Sequence, residues 1–258
     1  MLILLKMKVL FKKSVQPLFL TQIVLQASII PMILFAGPKD YLLSILVYFF
    51  MGCIGMSMTY HRLLAHKSWS APRWFEIFGT LCGVFGLTGS SLAWCAIHRE
   101  HHQKTDQAKD PHSPHHKRWW EVHFFNMFHR PKLRLMSDKM KDPFHLFVHK
   151  SYFKLQVLYA LLCYLNDPFY VISLYLFPAM LLWNIEGSVN TVGHLFGYRN
   201  FKTKDFSRNN IILALISWGE GLHNNHHFNP KSPIFRRKWF EVDLSEPLIR
   251  FIRLLGKA

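Results

Sequence analysis

Three stretches of this chain run the length of a membrane crossing without one charged residue: Ser14 to Gly37, Tyr41 to Tyr60 and Ile77 to Ile97. A hydrocarbon core about 30 Å thick is crossed by roughly 20 predominantly apolar residues, because a helix rises only about 1.5 Å per residue. A fourth stretch, Leu155 to Ile185, is broken only by Asp167-Pro168. Proline cannot continue a helix and pushes the preceding residue out of the α region, so this stretch reads as two helices folded back at Asn166. Its short first arm carries Lys154, whose ammonium would snorkel to the interface. The expected spans are residues 15–36, 41–60, 152–166 and 168–190 of a single domain covering 1–258. Composition agrees, since 18% of residues are charged against about a quarter in a soluble domain. Lys6, Lys8, Lys12 and Lys13 ahead of the first run imitate a secretory signal. The run is too long and lacks a small-residue cleavage site, so an uncleaved span is expected.

The third stretch differs in texture. Gly79, Gly83, Gly86, Thr88, Gly89, Ser90 and Ser91 make it a poor span, so residues 74–97 are expected to lie in the interface or to re-enter. His61 and His98 then stay on one face of the membrane, and the helix pair around Asp167 returns His194 to that face. All lysines and arginines except Lys39 and Lys154 fall on the inner side, as the positive-inside rule requires. A full crossing by Ile77 to Ile97 would strand the basic region 98–150 outside and part the first two histidine clusters. The formal charge of +16 thus meets anionic headgroups or the phosphates of an activated substrate. No helix-turn-helix or zinc-finger pattern is present, and nucleic acid is not an expected partner. Cys53, Cys82, Cys95 and Cys163 have neither disulfide nor metal spacing and read as structural thiols. Residues 246–255 alternate apolar and basic side chains at helical spacing and read as a surface helix.

Histidine spacing carries the chemistry. His61-Arg-Leu-Leu-Ala-His66 follows the second span, His98-Arg-Glu-His101-His102 the third stretch, and His223-Asn-Asn-His226-His227 a short apolar run, Ile211 to Trp218. In the last two, positions i, i+3 and i+4 share one side of a helix, so three imidazoles are expected to converge on one locus. The i to i+5 pair of the first is not one-faced and needs a helix end or bend. Single interfacial histidines are ordinary, but three such clusters on one face point to metal, because imidazole suits iron, copper, zinc and nickel. Eight imidazoles exceed the four positions of one tetrahedral zinc, so two metals fit better.

These boxes, with Asn190-Thr-Val-Gly-His194-Leu-Phe-Gly-Tyr, Gly219-Glu-Gly-Leu-His223, Thr105-Asp106 and Asp110-Pro111-His112, resemble the membrane fatty acyl desaturases of the stearoyl-CoA Δ9 family over residues 41–230. The resemblance implies an all-α integral membrane fold: four transmembrane helices, an interfacial helix and a cytosolic histidine-rich cap. It implies two Fe2+ ions held by His61, His66, His98, His101, His102, His194, His223, His226 and His227, with Asn190 either behind the ligands or reaching an ion through water. It places Gly89 to Trp94 along the substrate tunnel, with Trp94 as a wall residue. His112 and His123 fall in similar motifs as non-ligands that support the cap. His115, His116, His129, His145 and His149 are also left as non-ligands. Asp106, Asp110, Glu100 and Glu220 are candidates to orient ligand imidazoles, since a metal-bound histidine usually donates its other N–H to a carboxylate; a plain solvated charge is the equal alternative for each.

An unactivated C–H bond has no acidic proton, so acid–base groups alone cannot break it and a metal–oxygen oxidant is required. The implied reaction is O2-dependent cis desaturation, by the resemblance at Δ9, of a CoA- or lipid-linked acyl chain. Related hydroxylases use similar boxes, whereas a metal transporter would carry its ligands within the spans near the midplane. Two departures bear on the carrier. Trp94-Cys-Ala-Ile97 is apolar where the animal acyl-CoA enzymes are charged, and the cap motif that usually ends in Gly-Trp reads His123-Phe-Phe-Asn126. With no cytochrome b5 domain expected after residue 230, electrons come from a separate donor such as cytochrome b5 or ferredoxin. Membrane lipids complete the partner set. The expected location is a bacterial inner membrane or the endoplasmic reticulum, with the histidines facing the cytosol.

Overall fold

The structure, a computed structural model, describes residues 16–125 and 129–256. Ser14, the four lysines before it and Asn126 lie outside the described residues. Helices α1 Gln16–Ala27, α2 Ile29–Phe35 and α3 Pro38–Phe49 open the fold. The first expected span is thus broken at Ser28, whose hydroxyl donates to the Leu25 carbonyl at 2.6 Å. Helix α3 starts sharply because Asp40 accepts the Gly37 N–H at 2.9 Å and Pro38 occupies the first turn.

Among the described residues, two helices are long and apolar enough to cross a membrane: Pro38–Ala65, of 28 residues, and Val171–Leu195, of 25. Each outruns the corresponding expectation at its C-terminal end and so carries histidine directly: His61 on the first, His194 on the second. The expected span 152–166 appears as α8, Tyr152–Asn166. Outward-facing Phe35, Leu42, Val157 and Leu165 remain largely exposed. Large apolar side chains left exposed in this number belong against an apolar surrounding.

From Phe50 to Ala65 the first long helix is of the wide π type, closed at its end by the His66 N–H donating to the His61 carbonyl at 3.1 Å. Residues i and i+5 are neighbours in such a helix. His66 caps the end of this helix, the helix end expected for the pair, and the ring centroids of His61 and His66 lie 4.9 Å apart.

Residues 74–97 do not form one continuous helix. Helix α4, Arg73–Val84, and α5, Ser91–Lys104, are separated by a turn in which Leu87 and Gly89 adopt positive φ. Helix α4 descends along the π-type helix: Gly79 packs on Thr59, and a Cβ on Gly55 would come within 2.4 Å of the Gly83 nitrogen. Helix α5 climbs back, with the Cys95 thiol on the Tyr60 carbonyl at 3.1 Å. This hairpin geometry accounts for Gly79 and Gly83, and α5 brings His98 and His102 beside His61 and His66.

The remainder is a set of short helices joined by irregular segments, with isolated bridges joining Tyr198, Asn209 and Leu222. In order come α6 Trp119–Phe125, α7 Pro143–Lys150, α9 Phe177–Leu195, α10 Ile211–Ile216, α11 His223–Phe228 and α12 Ser245–Leu255. The cysteines are free, and all but half-buried Cys82 are buried.

Candidate metal centre

Four elements deliver the histidines. The π-type helix supplies His61 and, at its cap, His66; α5 supplies His98, His101 and His102; α9 supplies Asn190 and His194; α11 supplies His223, His226 and His227. All nine histidines gather into two groups whose ligand-capable atoms lie within 4.8 Å of one another. One group holds His61, His66, His98, His102 and His226, the other His101, His194, His223 and His227. Each three-histidine box is thus split between the groups instead of converging on one locus. Positions i and i+4 lie about 40° apart around a helix, whereas i+3 lies about 60° to the other side. The i, i+4 pair enters one group and the i+3 residue the other.

The Nε2 atoms meet. His61 and His226 approach at 3.0 Å, His66 and His98 at 2.7 Å, His102 and His226 at 2.9 Å, and His194 and His223 at 3.0 Å. Two nitrogens bound at right angles, about 2.1 Å from one ion, would stand about 3.0 Å apart. The Nε2 atoms of His101 and His227 are buried without a hydrogen-bond partner among the described residues. Orphaned buried nitrogens are costly unless something binds them. The donor set therefore fits two imidazole-bound metal ions.

The opposite ring nitrogens are held. The Nδ1 of His61 meets Glu220 at 2.5 Å, that of His101 meets Asp110 at 2.9 Å, that of His194 meets Asp106 at 2.9 Å, and that of His227 meets Asp205 at 3.3 Å. A carboxylate that accepts from Nδ1–H fixes the tautomer and leaves the Nε2 lone pair free. Burial works against ionisation of Asp106, yet the bonds from His194, the Phe206 N–H and Ser113 hold its carboxyl below the usual range. Asp110 is likewise depressed, burial being outweighed by His101 and the His112 N–H. Burial first, then mutual repulsion, pushes His66, His98, His102, His223, His226 and His227 below the ordinary imidazole value. They stay neutral at pH 7, the form that binds metal.

Beside the cage, Trp94 stacks on His98 at 4.9 Å and 10°. Two adjoining cavities share Trp94, His98, Glu186 and Asn190. One continues to Thr88, Val122 and Trp183, the other reaches His61 and His223. The side chains of Asn190 and Glu186 face this space with no hydrogen-bond partner among the described residues.

The fatty acid desaturase family model matches residues 40–241. The chain belongs to the fatty acid desaturase family. It is accordingly an oxidoreductase. This desaturase is 33% identical over 220 residues to the sn-1 stearoyl-lipid 9-desaturase of Anabaena variabilis, covering 83% of this chain and 81% of the relative. It is 34% identical over 229 residues to the sn-2 palmitoyl-lipid 9-desaturase of Nostoc sp., covering 84% and 79%. It is also 31% identical over 232 residues to the icosanoyl-CoA 5-desaturase of Limnanthes douglasii, covering 87% and 65%.

One orienting role expected from sequence is corrected. Glu100 touches no cage imidazole; its carboxylate is taken by Lys104 at 2.8 Å, Lys132 at 2.5 Å and His129 at 3.2 Å. Sequence reasoning missed Asp205, because nothing in Lys202-Thr-Lys-Asp205 announces a partner in a distant box. It also missed Arg62, which is fully buried and grips Asp243 at 2.9 and 3.0 Å with the Phe235 ring 3.9 Å away. Among the non-ligands, His112 lies beside His101 with centroids 5.2 Å apart, and His123 bonds Asn184 at 3.2 Å.

Proposed function

We propose that this desaturase inserts a cis double bond, at Δ9, into a saturated acyl chain linked to membrane lipid or CoA. It would use O2 and two Fe2+ ions. The observation that carries this is the pair of adjoining imidazole groups, five and four, beside a cavity walled by Trp94, Val122 and Trp183. Iron, when bound there, supplies the oxygen activation that an unactivated C–H bond demands. His61, His66, His98, His102 and His226 would hold one ion and His101, His194, His223 and His227 the other, with Asn190 acting through water. Asp106, Asp110, Glu220 and Asp205 keep the rings oriented, and the aromatic wall positions the chain and excludes water.

The relatives' names favour a lipid-linked chain, and the apolar Trp94-Cys-Ala-Ile97 supports the same carrier. Four spans, formed by residues 16–35, 38–65, 152–166 and 171–195 with the hairpin of α4 and α5 re-entering, would keep the cage on the cytosolic face. The membrane is a bacterial inner membrane or the endoplasmic reticulum, and a separate one-electron donor, a cytochrome b5 or a ferredoxin, reduces the iron. The test is expression in a desaturase-deficient host, followed by gas chromatography and mass spectrometry of total lipids. A new cis-monoene at C9 is expected. An oxygenated chain without an alkene would replace this reading with that of a hydroxylase.

A further inference from the structure

The third histidine box is borne on a segment whose surroundings do not suit water. Helix α10 ends against the first long helix well below His61: the Tyr48 hydroxyl donates to the Ile216 carbonyl at 2.5 Å, and the rings of Tyr48 and Phe49 pack on Trp218 at 5.4 and 5.3 Å. The turn that follows is irregular, with positive φ at Trp218 and Gly219. Much of its backbone is nevertheless bonded within the protein. The Leu213 carbonyl accepts the Ser217 N–H at 2.9 Å, Ala214 accepts Gly219 at 2.8 Å, Ser217 accepts Glu220 at 3.1 Å and Gly219 accepts Leu222 at 3.0 Å. The Trp218 carbonyl accepts the Ser245 hydroxyl at 3.0 Å. Irregular backbone at membrane depth is tolerated only where its polar groups are satisfied by protein.

The side chains point the same way. Ile212 is 76% and Leu215 52% exposed, and both lie on the outer side of α10. Helix α12 continues this surface. Its buried face, Leu248, Ile249 and Ile252, packs into the core, yet a second apolar stripe, Leu244, Phe251 and Leu255, faces outward at helical spacing. Arg250 and Arg253 lie on the polar side of the helix; Arg250 is bonded to Glu246 at 2.9 Å, and Arg253 has no partner among the described residues. The N-terminus of α12 is pinned to the same helix, with Ser245 2.9 Å from Ser57 and 3.6 Å from Cys53. A helix facing water would not expose an apolar stripe beside its buried face, whereas one lying in a leaflet buries that stripe in acyl chains and sends arginine to phosphate.

We infer that Ile211–Trp218 and α12 form a wedge seated in the cytosolic leaflet, contacting lipid acyl chains through Ile212, Leu215 and Phe251 and anionic headgroups through Arg253. The bilayer thereby braces the segment that carries His223, His226 and His227. The inference rests on reading Pro38–Ala65 as a crossing and is independent of the reaction.

The test places a nitroxide on Ile212→Cys, Leu215→Cys or Phe251→Cys in the full chain, reconstituted in phosphatidylcholine vesicles containing phosphatidylglycerol. Collision with O2 is compared with collision with a water-soluble nickel chelate. Leu42→Cys reports the span, Lys204→Cys reports the aqueous loop, and unsubstituted protein is the labelling blank. The expected result is a preference for O2 at the three sites, as at Leu42 and reversed from Lys204. Nickel preference at the three sites with Leu42 still lipid-exposed overturns the wedge alone. Protection from both colliders also overturns it, since protein then covers the face. Nickel preference at Leu42 removes the crossing itself and the wedge with it.

Discussion

His101 and His102 are adjacent in the chain, yet their rings stand 79° apart with centroids at 5.4 Å and belong to different groups of nitrogens. One residue of helix turns a side chain by about 100°. A single turn of α5 therefore serves both groups, and α11 repeats the arrangement with His226 and His227.

Removal of either member should deplete a different site. His101→Ala and His102→Ala are each expected to lower bound iron and cost more than the roughly 100-fold lost when only an outer partner is removed. Metal analysis of purified protein, with turnover measured alongside, checks this. Full iron content in either variant would remove that residue from the ligand set.

The four carboxylates on Nδ1 atoms should behave alike, and Glu100 should not. Asp110→Ala and Asp205→Ala are expected to weaken metal affinity or turnover about 10- to 100-fold, because the imidazole loses its fixed tautomer. Glu100→Gln disturbs only Lys104, Lys132 and His129 and should leave iron content unchanged. Titration with Fe2+ in the absence of O2 distinguishes the two classes.

Acid should unfold the metal-free protein. His66, His98, His102, His223, His226 and His227 have folded-state values below the ordinary 6.5. Below pH 6.5 the unfolded chain takes up protons that the folded chain refuses, so stability is full above that value and declines as pH falls. Melting of chelator-treated protein across pH 8 to 5 should show a midpoint that drops only below about 6.5. A midpoint that rises with acid would contradict the burial of these rings.

Arg62 ties the first long helix to the loop before α12. Its side chain is fully buried, doubly bonded to Asp243 and placed over Phe235. Arg62→Leu leaves Asp243 without its cation and should destabilise the protein by about 3–5 kcal/mol. Arg62→Lys should recover only part of this, because an ammonium cannot make the planar bidentate contact. Denaturant midpoints in detergent micelles give the comparison.

How much was legible without coordinates follows from the range of each interaction. Apolar runs and histidine spacing are local properties, and they suffice to expect helices at membrane length, a glycine-rich segment that fails to cross, and imidazoles in number for two metals. The sequence alone also nominated Asp106, Asp110 and Glu220, because each lies within or beside a box. Which histidine joins which group was decided only by the fold, since it depends on how helices from four parts of the chain are rotated against one another. The π winding of residues 50–65 is of the same kind: the amino acids allow it, and packing against α4 and α5 accompanies it. Asp205 reaches His227 across a loop with no periodicity to betray it. Glu100, beside His101 in sequence, points away from the cage. Local pattern sets which chemistry a segment can perform; only the packing of distant segments sets which atoms meet.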